Sequence, residues 1–283
     1  VPRAPIGDIE IFYETQGETG TPVLLIMGLS VRGAAWRFQV PDLATRHRVC
    51  WFDNRGVGES DVPPGPYSMA QLAGDAAALL DHLGWEDAHI VGVSMGGMIA
   101  QHLAVHHRDR VRSLSLLATT PGGPAGRFPP LPGAFHFARV LFARGDARLD
   151  AVARLLFPPE ARRELDPAWL SEILRDDFGT RQPKAGRRGQ LRAVMGHDVR
   201  RRLGELAGVP TLVVKPEQDI LVRPGESEKL HRGIPGSTIL RLPRAGHGLL
   251  RNTAGELNPA LLDHMARADS ARSEARTGQA AAS

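Results

Sequence analysis

Gly92-Val93-Ser94-Met95-Gly96 follows an apolar strand candidate, His89 to Val93, and opens a helical stretch, Met98 to His107. A serine at a tight strand-to-helix turn sits in a strained backbone conformation, and the positions around it have room only for small residues. Gly92, Gly96 and Gly97 meet that need. The pattern is a nucleophile elbow, with the hydroxyl raised above the sheet near the positive end of the following helix. A bare G-x-S-x-G match is weak, and the strand before it and the helix after it are what give it weight.

Serine is a poor nucleophile near neutral pH, so the reading requires a base and a group to orient that base. His247 lies in Arg244-Ala245-Gly246-His247-Gly248, after the apolar run Thr238 to Leu242. Asp219 lies in Pro216-Glu217-Gln218-Asp219-Ile220, after Val209 to Val214. Glu217, two residues earlier, is the rival acid.

With these residues in the order Ser, Asp, His, the chain resembles the α/β-hydrolase family from about Ile9 to about Met265. Val23-Leu24-Leu25-Ile26-Met27-Gly28-Leu29 looks like the family's strand and oxyanion loop. Phe52-Asp53-Asn54-Arg55-Gly56-Val57-Gly58-Glu59-Ser60 matches its D-x-R-G-x-G-x-S loop. Small-molecule esterases and lactonases are the branch most resembled, such as 3-oxoadipate enol-lactonase and the methylesterases of polyketide pathways. One departure is Met27-Gly28 where the family usually has His-Gly. The hole needs backbone N–H groups, so the substitution leaves it possible, with Leu29 and Met95 as donors.

The resemblance implies a mostly parallel central sheet flanked by helices, with a helical cap inserted after the sixth strand. Apolar runs at Ile9 to Tyr13, Val23 to Met27, Arg48 to Phe52, His89 to Val93, Val111 to Leu117, Val209 to Val214 and Thr238 to Leu242 read as strands. Helical stretches such as Met69 to Leu83 separate them, which argues for parallel pairing. The alternation breaks after Thr120. A Gly/Pro-rich opening, Pro121 to Pro132, leads into helical segments around Ala134 to Ala143, Leu149 to Leu156 and Trp169 to Asp177. Residues 1–120 and 204–265 are therefore assigned to the core, and 121–203 to the cap. Residues 266–283, made of Ala, Ser and charge, are expected to be a frayed or disordered tail.

The cap is expected to overhang Ser94 and supply much of the pocket. Met27, Phe128, Phe135, Phe137, Phe142 and Leu249 are the pocket candidates, and Leu141, Phe157, Trp169 and Phe178 are further aromatic and aliphatic residues of the cap. More than half of these cap candidates are expected to pack its helices together. The cap arginines Arg139, Arg187, Arg188 and Arg200-Arg201-Arg202 could attract an anion but are more often solvated helix faces.

Composition fits one enzyme domain of 283 residues with 42% hydrophobic content. No apolar run approaches the roughly 20 residues of a membrane span, and Val1-Pro2-Arg3-Ala4-Pro5 has no apolar signal core. Cys50 is the only cysteine, so no intrachain disulfide is available, and a cytoplasmic location is expected. The net charge is +4, carried almost wholly by Arg, with lysine only at 184, 215 and 229, a hint of bacterial origin. With 5% aromatic content and no interleaving of Arg with aromatics, nucleic acid is not an expected partner.

Other residues read as structural. His102, His106 and His107 are expected to be surface histidines, His197-Asp198 a structural pair, Asp53 a loop anchor and Cys50 a core residue. The function expected is a serine hydrolase acting on a carboxylic ester or lactone of a small or medium-sized apolar molecule, without metal or organic cofactor. The same triad also serves carbon–carbon bond hydrolysis, perhydrolysis and cleavage of a macrocyclic lactone or antibiotic ester, and the scaffold is also used by non-catalytic binding proteins. Dehalogenases and epoxide hydrolases need Asp in place of Ser94. Sequence leaves the substrate and the oligomeric state open.

Overall fold

A computed structural model describes residues 2–178 and 182–282, with side chains described up to 275. The strands are β1 Arg3–Ile6, β2 Ile9–Gln16, β3 Pro22–Ile26, β4 Arg48–Phe52, β5 Ala88–Val93, β6 Val111–Leu117, β7 Thr211–Pro216 and β8 Thr238–Leu242. They form one eight-stranded sheet in the order β1-β2-β4-β3-β5-β6-β7-β8. The β1/β2 and β2/β4 pairs are antiparallel, and the remaining five are parallel.

β3 and β5 are buried at every position, because both have strand neighbours on either side and helices on both faces. Their alternate residues divide between two cores. Leu24, Ile26 and Ile90 face one core with α2 (Met69–His82) and α3 (Met95–His106), while Val23, Leu25 and Val91 face the other. Trp36 and Leu43, the latter from the short α1 (Val40–Leu43), fill that second core together with Leu257, Leu261 and Met265. Cys50 is fully buried in the first core.

Between β6 and β7 the chain leaves the sheet. Among the described residues six α-helices occupy this insertion: α4 Pro124–Arg127, α5 Leu131–Phe142, α6 Gly145–Leu156, α7 Pro159–Glu164, α8 Pro167–Phe178 and α9 Lys184–Gly196. Val152, Leu156, Phe157, Ala161 and Leu174 give it a small core of its own. α10 (Pro224–Gly233), α11 (Leu249–Asn252) and α12 (Ala254–Ala282) complete the fold. Among the described residues no helix is long and apolar enough to cross a membrane.

The expectation of a frayed or disordered tail over 266–283 is corrected up to Ala282 by α12, which is helical through that residue, Ser283 lying outside the described residues. Ala268 is buried, Asp269 accepts hydrogen bonds from Thr21 Oγ1 at 2.9 Å and Arg112 Nη1 at 3.0 Å, and Arg272 pairs with Asp87 at 2.7 Å. Those tertiary bonds hold a segment whose composition alone predicts no packing. The strand expected over Val209 to Val214 begins two residues later, at Thr211. β1 and the helices α7 and α9 are additions to the sequence reading.

Candidate active site

The order of strands reverses between β3 and β5, so the loops leaving their C-terminal ends diverge and open a crevice. Ser94 stands at that point, directly after β5. Its backbone lies at φ 55°, ψ −120°, a region L-residues rarely occupy, at a cost of order 1–3 kcal/mol. The surroundings enforce it. The Ser94 N–H donates to Leu117 O at 2.9 Å, and its carbonyl accepts from Gly97 N at 3.0 Å and Thr119 Oγ1 at 2.7 Å. A Cβ on Gly96 would stand 2.0 Å from the Ile26 carbonyl oxygen, which is why α3 can begin so close to β3.

Asp219 and His247 come from the loops after β7 and β8, beside one another because those strands are paired. His247 Nδ1 and Asp219 Oδ2 are 2.7 Å apart, with both side chains buried. Asp219 Oδ1 accepts from the backbone N–H groups of Leu221 at 2.7 Å and Val222 at 3.0 Å, so the carboxylate is fixed as an acceptor and the imidazole proton belongs on Nδ1. That leaves Nε2 free to accept. Glu217 instead pairs with Lys215 at 2.9 Å, away from the imidazole. The Gly248 N–H donates to Leu156 O of α6 at 2.8 Å, so the insertion clasps the histidine loop.

Ser94 and His247 line one cavity of about 230 Å³. No hydrogen bond joins their side chains among the described residues, an arrangement common before a substrate is seated. The walls come from the loop after β3 (Met27, Leu29), from α5 (Phe137, Val140, Leu141), from α6 (Val152, Leu155) and from α9 (Leu191, Val194, Met195). Met95 also lines it, as the first residue of α3, where an N–H has no intrahelical acceptor. Gly28 brings the Leu29 loop against the serine: a Cβ there would lie 3.3 Å from Ser94 Cβ.

Of the expected pocket residues, Met27 and Phe137 line the cavity, and Leu141 and Phe178 do so as well. Phe128, Phe135 and Phe142 do not. They are 61%, 61% and 82% exposed; Phe128 lies before α5, and on α5 the turn that points Phe137, Val140 and Leu141 inward puts Phe135 and Phe142, two before and five after Phe137, on the opposite side. Leu249 is buried in the core beneath the site, and its neighbours Leu250 and Arg251 reach the cavity instead. Phe157 packs inside the insertion, and Trp169 meets the edge of Phe38 at 6.0 Å between ring centroids.

Sequence reasoning passed over the residues that hold the Leu29 loop. Gln190 of α9, fully buried, accepts from the Ser30 N–H at 2.8 Å and donates to Arg55 O at 2.9 Å. Asn54 donates to Met27 O at 3.0 Å. Asp53 holds its loop as expected, accepting from Gly33 N at 2.7 Å and Glu59 N at 3.0 Å. The three helical histidines need a correction. His106 is exposed and His107 half-buried, but His102 is packed against His197, ring centroids 5.4 Å apart, with both its nitrogens buried and without a hydrogen-bond partner among the described residues. Burial, with the neighbouring His197 second, pushes its pKa down to about 3. His197 has the structural role expected, donating from Nε2 to Thr120 O at 3.0 Å.

The sequence matches the family model for the alpha/beta hydrolase fold over residues 21–250. The chain belongs to the α/β-hydrolase family. This hydrolase is 33% identical over 274 residues to the Azorhizobium caulinodans protein named "Putative carbamate hydrolase RutD", covering 93% of this chain and 97% of that one. Among solved structures it is similar to the enol-lactonase of Burkholderia xenovorans LB400 (27% identity, TM-score 0.82, 94% and 100% covered). It is also similar to a thermophilic esterase of Thermogutta terrifontis (28% identity, TM-score 0.80, 95% and 99% covered).

Proposed function

We propose that this hydrolase cleaves a carboxylic ester or lactone of a small or medium-sized, largely apolar molecule through an acyl-enzyme on Ser94. The observation that carries the reading is His247, bonded through Nδ1 to Asp219 and facing, with Ser94, one apolar cavity. The likeness to an enol-lactonase and an esterase supports the bond type.

In this mechanism His247 Nε2 takes the Ser94 proton as Oγ attacks the carbonyl carbon, and Asp219 stabilises the imidazolium that results. The N–H groups of Met95 and Leu29 bind the oxyanion, at about 3 kcal/mol per donor in comparable enzymes. The imidazolium then protonates the leaving alkoxide. Water, deprotonated by the same Nε2, attacks the acyl-enzyme, releases the acid and restores Ser94. Helices α5, α6 and α9 act as a cap that shapes the acyl or alcohol pocket.

The volume of the cavity sets the expected chain length. Turnover of p-nitrophenyl esters is expected to peak at short to medium acyl chains and fall at long ones, with small lactones accepted and macrocyclic lactones refused. Undiminished activity on long-chain emulsions contradicts an enclosed pocket. Binding without turnover across the ester and lactone panel contradicts the hydrolytic reading itself.

A further inference from the structure

The cavity is apolar but not electrically neutral. Arg127, Arg148, Arg187 and Arg251 reach its wall, and no Asp or Glu does among the described residues. Arg251 is the most committed of them. Its side chain is 5% exposed, one turn beyond His247, and its guanidinium lies 5.9 Å from the ring of Phe178, which lines the same cavity.

Asp177, itself buried, is its partner through Nη2, but Asp177 is shared, because Arg37 Nη1 also bonds it at 2.9 Å. Two guanidinium groups thus meet one carboxylate, and a formal positive charge is left over beside the cavity. Arg251 Nε is buried with no hydrogen-bond partner among the described residues. Burial, opposed by Asp177 and aided by Arg37, lowers the Arg251 pKa, as expected for a cation not fully compensated. A buried cation in this condition is stabilised by any anion that reaches it, and a planar carboxylate matches a guanidinium edge with two parallel hydrogen bonds.

We infer that the substrate of this hydrolase carries a carboxylate besides the ester or lactone it loses, and that Arg251 is the residue that seats it. The inference rests on the serine-hydrolase reading and adds the charge of the substrate to it. The apolar walls take the body of the molecule, and Arg251 fixes one end so that the scissile carbonyl is presented to Ser94.

The test uses matched pairs in which a carboxylate is exchanged for a carboxamide of the same shape. One series is aryl hydrogen succinate, glutarate and adipate against their amides, with the charge on the acyl side. The other is acyloxybenzoate against acyloxybenzamide, with the charge on the alcohol side. In at least one series the wild type is expected to prefer the carboxylate by tenfold or more in kcat/KM, mainly through KM. Arg251→Gln should reduce that ratio at least tenfold, and Arg251→Lys should restore part of it. A ratio near one in both series, or a ratio unchanged in Arg251→Gln while both rates fall together, overturns the inference and leaves Arg251 as a tether between α11 and α8.

A binding measurement separates this inference from the hydrolytic reading. Calorimetry of Ser94→Ala with glutarate and with its monoamide should show the same preference for the added carboxylate, lost in the Ser94→Ala, Arg251→Gln double variant. Carboxylate-selective binding without turnover in the wild type keeps the site and removes the esterase. Turnover of the amides at least as fast as the acids keeps the esterase and removes the site.

Discussion

Gly92 and Gly96 touch across the turn that holds Ser94: a Cβ on Gly92 would stand 2.3 Å from the Gly96 carbonyl oxygen. The atoms in the way are backbone, so nothing flexible can move aside. The same crowding that excludes side chains keeps Ser94 at its positive φ, and the conformation of the elbow is therefore set by packing.

Gly96→Ala is accordingly expected to cost about 1–3 kcal/mol or more by overpacking against Ile26. Gly74→Ala is the control. It sits inside α2 with nothing within 4 Å of a new Cβ, and should gain about 0.5–1 kcal/mol from helix propensity. Thermal denaturation of the two variants should shift in opposite directions, and equal shifts contradict the packing account.

The geometry separates the two acid candidates. Asp219→Asn should lower kcat by roughly 10⁴, as when a triad carboxylate becomes an amide and the imidazole proton moves to the wrong nitrogen. Glu217→Gln breaks an ion pair with Lys215 near the surface and should change kcat less than about twofold. The reverse pattern moves the orienting role to Glu217.

Stability should fall on acidification through the buried histidines. His102 is pushed down to about 3, and His197 and His264 to about 4, each chiefly by burial. Their unfolded value is about 6.5. Between these values the unfolded chain binds protons that the native protein refuses. The penalty is therefore absent above about pH 6.5 and grows as pH falls toward 4, by up to about 1.4 kcal/mol per pH unit for each histidine. Melting temperature measured from pH 7.5 to 4.5 should drop less steeply for His102→Gln than for the wild type. Parallel curves contradict the role of His102.

The C-terminal helix gives a fourth test. Burial raises the Asp269 pKa, but hydrogen bonds from His89, Arg112 and Thr21 outweigh it and hold the carboxyl below the usual range. Ending the chain after Met265 should cost stability, and Asp269→Ala alone should account for about 2 kcal/mol of it, the scale of hydrogen bonds to a partly buried charge. An unchanged urea midpoint in both variants contradicts the docking of α12.

Strands with strong local patterns were legible in the sequence: β4, β6 and β8 have the same bounds in sequence and structure. β1 was not, since Arg3–Ile6 is a four-residue edge strand containing Pro5 and is paired only with β2. α9 was hidden by its own glycines. Gly186 and Gly189 lower helix propensity, and they are small because Gly56 and Tyr67 press against them, a contact between segments far apart in the chain. At the candidate site, Ser94, Asp219 and His247 were legible as candidates because each sits in a short motif after a strand. Gln190, Asp177 and Arg251 have no such motif, and their places follow from how the insertion lies over the sheet. Facing is likewise a tertiary matter, and so Phe135 and Phe142 could be read as lining while Phe137 alone turns inward from among them.

Ser94 is proposed to carry the acyl group, a step that can be observed directly. Its most direct measurement is intact and peptide mass after brief mixing with an aryl ester and acid quench, with a fluorophosphonate-treated sample alongside. One acyl or phosphonyl adduct per chain is expected, on the peptide containing Ser94, with a burst of phenol that matches it and with both lost in Ser94→Ala. An adduct on another residue, or full turnover by Ser94→Ala, would contradict it.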